Sequence, residues 1–250
     1  MFCEKHQIEY DQKELRLPSG QLIATIGCPE CQREHDDQIN SLDKANSIKD
    51  QIDRYQDMNI EPLFYNASFD NFETPTKELQ YAKQSVVKLV RGEIQQIVMT
   101  GKNGTGKTHL AVAALKELGG KIYSMYEITT RIRATYSPIA VENELDVVDE
   151  LARLPLLVID EMGRTKGSDA ETNWLSYIID KRHNRFLPTI IISNKHVKKY
   201  CPDKNKGGCK ECLENYISDD IMSRLNEGGL LLQFSGEDWR KTKRQREAQK

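Results

Sequence analysis

The chain has 250 residues, a formal net charge of -2, 30% charged and 38% hydrophobic residues. That length holds one sizeable α/β domain and a small appendage, and the near-neutral charge excludes whole-molecule attraction to nucleic acid. No apolar run approaches the roughly 18 residues of a membrane-spanning helix, and the opening Met1-Phe2-Cys3-Glu4-Lys5-His6 lacks a signal-peptide hydrophobic region, so a cytoplasmic protein with no membrane partner is expected.

In chain order, residues 1–35 read as a separate module. Cys3-x2-His6 and Cys28-x2-Cys31 form two knuckles, and Ile8–Tyr10 and Gln21–Ile26 read as strands of a hairpin ribbon between them. Each knuckle puts two ligands on one tight turn, and two such turns meeting make a closed tetrahedral zinc site from Cys3, His6, Cys28 and Cys31. His35 is a reserve ligand. So short a module has little core of its own, and clustered cysteines in a cytosolic chain argue for metal rather than disulfides. Residues 36–57 show apolar positions at helical spacing and predict a linker helix. Residues 58–75 read as an extended segment lying on a core, followed by a helix over 76–91.

From about Glu93, strands and helices alternate. Strand 97–100 leads to helix 107–118, which Gly119-Gly120 stops. Strand 121–125, a helix to about Tyr136 and a helix over 141–153 follow. Pro155 precedes strand 156–159. Ser168-x-x-Glu171 is a capping box before helix 170–185. Strand 189–193, a Lys-, Cys- and Gly-rich insertion over 195–213, a helix over 215–226 and strand 230–234 complete the run. Continuous apolar strands separated by helices predict an α/β fold with a parallel five-stranded sheet covered on both faces.

Residues 101–108, Gly-Lys-Asn-Gly-Thr-Gly-Lys-Thr, are a complete P-loop between strand and helix. Its backbone N–H groups cradle phosphates, Lys107 reaches the β/γ-phosphates and Thr108 offers a hydroxyl to Mg2+. Gly101, Asn103, Gly104, Thr105, Gly106, Lys107, Thr108 and His109 form the expected nucleotide-binding set. Strand 156–159 runs into Asp160-Glu161. Asp160 is placed to hold the Mg2+ shell, and Glu161 to polarise the attacking water. Asn194 ends the next strand, either as a sensor of the γ-phosphate or as a turn residue. Arg224, on the helix after the insertion, either reaches a neighbouring subunit's nucleotide or sits on a solvated face. In the insertion, His196, Cys201, Cys209 and Cys212 offer a possible second zinc site. The helix after strand 121–125 carries Thr129, Thr130, Arg131, Arg133 and Tyr136, a candidate DNA-tracking face or an ordinary solvated one. The basic tail 242–250 either touches phosphate or is a solvated end.

The order of P-loop, Asp-Glu, Asn and Arg resembles AAA+ ATPases. The closer resemblance is to the DnaC/DnaI-type helicase loaders and the related IstB-type transposition helper ATPases. It is carried by residues 66–72 (Asn-Ala-Ser-Phe-Asp-Asn-Phe), 104–111, 157–163 and 234–240 (Phe-Ser-Gly-Glu-Asp-Trp-Arg). The resemblance implies an AAA+ domain over 58–241 without a C-terminal lid, Arg240 contacting nucleotide in cis, Mg-dependent ATP hydrolysis, and self-association through Arg224; a timed switch rather than bulk work would need only slow turnover. It also implies an N-terminal region that binds a replicative hexameric helicase, and contact of the core with single-stranded DNA. The alternative it leaves open is a transposition helper that binds duplex DNA and a transposase.

Overall fold

The computed structural model describes residues 1–11, 13–16, 19, 22–164, 168–203, 205, 209–236 and 238–239. Internal contacts divide the chain into Met1–Arg54 and Tyr55–Lys250.

In the first unit β1 (Phe2–Cys3) pairs antiparallel with β2 (Ile8–Glu9), and β3 (Lys13–Arg16) with β4 (Leu22–Ile26). The expected ribbon of 8–10 with 21–26 is therefore replaced by two local hairpins. The turn through His6 closes on itself, with the Gln7 N–H donating to Cys3 O at 2.8 Å and the Tyr10 N–H to Met1 O at 2.8 Å. Helix α1 spans Pro29–Asp57, beginning seven residues before the predicted 36. Proline is well suited to a first helical turn because its missing N–H would have no intrahelical partner, and Glu30 in that turn suits the helix dipole. None of the described residues of α1 is buried, and Ile39, Leu42 and Ile48 stand exposed along it.

In the second unit, residues 58–72 lie on the core, burying Met58, Ile60, Ala67 and Phe72. Helix α2 (Lys77–Val90) starts where Thr76 Oγ1 accepts the Leu79 N–H. Then come β5 (Gln96–Gly101), α3 (Lys107–Leu118), β6 (Lys121–Ser124), α4 (Met125–Ala134), α5 (Glu144–Arg153), β7 (Leu157–Asp160), α6 (Asp169–Asn184), β8 (Thr189–Ser193), α7 (Asp219–Asn226) and β9 (Gly229–Phe234). Capping boxes at Ser124/Glu127, Asn143/Asp146 and Ser168/Glu171 set the starts of α4, α5 and α6. Two predicted helices begin later than expected for the same reason. Asn143 starts α5 after 141, and Ser218, accepting the Ile221 N–H, starts α7 after 215.

The five strands pair in parallel in the order β6-β7-β8-β5-β9. Alternate residues point to opposite faces, and the cores follow this period. Ile97, Met99, Val158, Ile190 and Ile192 join α2, α3 and the 58–72 segment, whereas Val98, Leu157, Ile159 and Ile191 join α4 to α7. Both faces are covered, as an all-parallel sheet requires. Among the described residues no helix is long and apolar enough to cross a membrane.

One buried cation holds the base of the sheet. Arg182 of α6 is 0% exposed. It donates to Thr189 Oγ1 at 2.9 Å, Leu151 O at 3.0 Å, Leu154 O at 2.8 Å and Pro188 O at 2.6 Å, joining α5, α6 and β8. Burial lowers its pKa to about 9, still high enough to keep it charged at neutral pH. Replacing it with Met keeps most of the stem's volume but strips these acceptors of their donor. Arg182→Met is expected to lose roughly 3–5 kcal/mol of stability, read from urea unfolding midpoints; a loss below about 1 kcal/mol would show that the network is not structural.

Candidate nucleotide site

The parallel register delivers the loop-bearing strand ends to one edge of the sheet. Thr100 pairs with Ser193 and Gly101 with Phe234, while β7 ends beside β8 at Asp160. The crevice at this edge is where open α/β sheets bind ligands. The P-loop leaves β5 and enters α3 with Gly106 as its N-cap, at φ +94°. A Cβ on Gly106 would lie 2.6 Å from Phe72 Cε2, so the loop is seated on an aromatic ring from the 58–72 segment. His109, expected among the nucleotide ligands, joins the same seat. Its Nε2 lies 2.9 Å from Ser68 O and its ring 5.4 Å from that of Phe72, and burial holds its pKa below the usual histidine value. Lys116 donates to Tyr65 O and Ala67 O at 2.7 and 2.8 Å, fastening this segment to α3. From the other side, the Trp239 N–H donates to Gly104 O at 2.9 Å.

Lys107 is 5% exposed, and its ammonium bonds Gly101 O and Lys102 O at 2.7 Å each, inside the loop. Thr105 Oγ1 donates to Lys102 O at 2.9 Å, and Asn103 is exposed. Thr108 Oγ1 donates to Asp160 Oδ2 at 2.9 Å. The two groups expected around Mg2+ are thus already in contact across the gap between α3 and β7. Burial raises the Asp160 pKa above 3.8, against the Glu161 N–H and the Thr108 hydroxyl, which both favour the carboxylate.

Glu161 has φ +56°, a left-handed conformation that costs a non-glycine residue of order 1–3 kcal/mol and tends to persist at functional sites. Three contacts hold it there. Asp160 Oδ1 accepts the Glu161 N–H at 2.6 Å, Met162 N–H donates to Ile192 O at 2.9 Å, and Ser193 Oγ donates to Met162 O at 2.6 Å. The Glu161 carboxylate pairs with Arg164 Nη1 at 2.7 Å, a partner not foreseen from sequence.

Asn194 is exposed, directly beyond β8. Arg224 stands on α7 apart from this cluster, donating to Asp180 at 2.9 Å and Glu227 at 3.1 Å. Arg240 and the tail 242–250 lie outside the described residues. On α4, the candidate DNA face meets local partners. Thr129 is buried, Arg131 pairs with Glu142 and Glu150, Arg133 with Glu171, and the Tyr136 hydroxyl with Glu144. Acids of α5, α6 and the preceding loop thus pair with Arg131 and Arg133, while Thr130 and Tyr136 stand exposed.

Both cysteine clusters converge. Cys3, His6, Cys28 and Cys31 bring their ligand atoms within 4.8 Å of one another, as do His196, Cys201, Cys209 and Cys212. A tetrahedral zinc with bonds of about 2.3 Å to sulfur and about 2.0 Å to nitrogen spans edges of about 3.8 Å between sulfurs and about 3.6 Å between nitrogen and sulfur. In the first cluster Cys3 and Cys31 sulfurs are 3.7 Å apart, and His6 Nδ1 is 3.6, 3.6 and 3.4 Å from Cys3, Cys28 and Cys31. These residues fit a closed zinc tetrahedron. His6 Nε2 faces Glu34 at 3.1 Å, the outer carboxylate that orients a ligating histidine. His35, the reserve ligand, is outside the cluster and 66% exposed. Cys28 directly precedes α1 and Cys31 lies in its first turn, so the helix positions one of the two pairs.

This arrangement defines a P-loop ATP-binding protein of the AAA+ class. The sequence matches the IstB-like ATP binding protein family over residues 42–247, and the chain belongs to that family, with the DnaC-type helicase loaders. It is 30% identical over 200 residues to the replicative helicase loader DnaC of Escherichia coli K12, covering 76% of each chain. It is 25% identical over 190 residues to DnaC of Buchnera aphidicola subsp. Acyrthosiphon pisum, covering 72% of each. Among solved structures, the crystal structure of the DnaC helicase loader aligns with a TM-score of 0.58 at 23% identity, over 70% of this chain and 100% of that one. DnaA bound to AMPPCP and single-stranded DNA aligns with a TM-score of 0.54 at 19% identity, over 71% and 51%.

The raised Asp160 pKa has a defined consequence. Between 3.8 and the raised folded-state value the folded chain binds more protons than the unfolded one, so this group adds stability as pH falls through that window. Metal binding needs the carboxylate and runs the opposite way. The Mg2+ dependence of nucleotide affinity is expected to fade on acidification at a higher pH than an ordinary aspartate would allow. Asp160→Asn should weaken Mg2+-dependent affinity at least tenfold and abolish that pH dependence, measured by fluorescent-nucleotide titration; an unchanged profile would remove Asp160 from the metal shell.

Proposed function

We propose that the protein is an ATP-dependent loader that binds a replicative hexameric helicase and delivers it to single-stranded DNA, working in the cytoplasm. The observation that carries this is the 30% identity to DnaC across 76% of both chains, alongside a P-loop threonine already bonded to the acidic strand end. In this reading Gly101, Asn103, Gly104, Thr105 and Gly106 wrap the phosphates, and Lys107 leaves its loop carbonyls to meet the β/γ-phosphates. Thr108 and Asp160 hold Mg2+, which when bound offsets the phosphate charge. Glu161 exchanges Arg164 for the attacking water, and Asn194 reads the γ-phosphate. Arg224 exchanges Asp180 and Glu227 for a neighbouring subunit's nucleotide, and Arg240 contacts nucleotide in cis. Exposed ion pairs are weak, so these exchanges cost little.

The N-terminal module and α1, residues 1–57, hold the helicase. Zinc at Cys3, His6, Cys28 and Cys31, when bound, cross-links a module with little core of its own. The exposed Ile39, Leu42 and Ile48 offer α1 an apolar contact surface. Hydrolysis then releases the loader.

Glu161→Gln is expected to bind Mg·ATP with near-normal affinity and to hydrolyse it at least a hundredfold more slowly. It should also stay on the helicase, as seen by co-purification followed by a loading assay on coated single-stranded DNA. Unchanged turnover would take Glu161 out of the chemistry. ATP-dependent filaments on duplex DNA, with no helicase complex, would move the protein to the transposition helpers.

A further inference from the structure

The second cysteine cluster begins just beyond β8, beside the expected γ-phosphate sensor. His196 lies two residues beyond Asn194 and forms a bridge with Cys212, and the Leu213 N–H donates to His196 O at 2.8 Å. The Cys212 N–H donates to Cys209 O at 3.2 Å, making the tight turn of a metal knuckle. Two backbone N–H groups point at sulfur: Asp203 at Cys201 and Glu211 at Cys209, both at 3.3 Å. His196 Nε2 is 3.2 Å from Cys209 Sγ. Cys201 is 3% and Cys212 0% exposed, and all six cysteines are free thiols. Three thiols and an imidazole gathered around one point, with Cys201 and Cys212 buried and N–H donors aimed at the sulfurs of Cys201 and Cys209, suit a soft divalent cation with no open coordination position.

The knuckle also touches the acidic turn. Leu213, 0% exposed, packs in one cluster with Met162 and Val197. A Cβ on Gly163, at φ +78°, would meet Leu213 Cδ1 at 2.9 Å and Tyr216 Cβ at 3.4 Å. Lys195 spans the same joint, pairing with Glu211 at 2.5 Å and lying 4.2 Å from the Tyr216 ring centre. Ser218, two residues after Tyr216, caps the helix that carries Arg224.

We propose that His196, Cys201, Cys209 and Cys212 bind a second, structural zinc ion, and that this knuckle is a splint that holds Asn194 and the Glu161–Gly163 turn in register for the nucleotide. The four residues are positioning groups; none touches the reacting atoms in this assignment. The splint's role in turnover rests on the ATPase reading, whereas the zinc site and the splinting do not.

The test counts zinc in the full-length chain, purified without chelator, by native mass spectrometry. Two ions per chain are expected. Cys209→Ser with Cys212→Ser should leave one, and Cys28→Ser with Cys31→Ser should leave the other one. His196→Cys should keep two ions with a four-sulfur site, which guards against a variant that merely misfolds. Wild type with a single ion, lost only with Cys28 and Cys31, would overturn the second site. Hydrogen exchange then reads the splint. Amides of 161–163 and 194–196 should exchange at least tenfold faster in the Cys209/Cys212 variant and at the wild-type rate in His196→Cys. Equal protection in all three proteins would overturn the splint while leaving the metal. If the chain proves not to hydrolyse ATP, neither readout changes, so failure of the proposed activity is told apart from failure of this inference.

Discussion

Parallel pairing of β5 with both β8 and β9 is the constraint on which everything else rests. It carries the P-loop, the position before Asn194 and the segment leading to Trp239 to one edge, while β7, one strand further along, ends in the acidic pair. A one-residue slip in any pair would turn its core residues to the opposite face. Ile97, Met99, Ile190 and Ile192 on one side, and Val98 and Ile191 on the other, prevent that slip because both faces are buried. The hydrophobic cores therefore position the edge that carries the candidate nucleotide site. Arg182 fixes the opposite end, donating to the carbonyls of Leu151 and Leu154 at the end of α5 and of Pro188 before β8.

The P-loop is gripped from outside by chain segments remote from it. Phe72 lies beneath Gly106, the Ser68 carbonyl lies 2.9 Å from His109 Nε2, and the Trp239 N–H donates to the Gly104 carbonyl. These contacts give a physical role to the aromatic signatures at 69–72 and 234–239. They are the walls of the loop, placed there by the same sheet and by Lys116.

Charges around the crevice are held by local partners. Arg164 pairs with Glu161, Arg224 with Asp180 and Glu227, and the arginines of α4 with Glu142, Glu150 and Glu171. Most of these pairs are solvent-exposed and contribute little each. Arg131 differs, because Glu150 is shared with Lys121 and the three groups are partly shielded. That network binds α4 to α5.

Local signals in the sequence were enough for elements whose boundaries are local. Helix 107–118 and strand 189–193 are found at those residues, as is the Ser168 capping box, because a glycine stop, an apolar run and a cap act within one turn of themselves. The P-loop, the Asp160-Glu161 pair and both Cys/His sets were legible because spacing alone limits their chemistry. Tertiary structure alone decided the partners. It paired β4 with β3, started α1 at Pro29, buried Arg182, turned His109 toward Ser68, paired Arg131 with Glu150 and set Leu213 against Gly163. Each of those outcomes depends on which distant group arrives within a few ångströms, and that distance is fixed by packing rather than by neighbours in the chain.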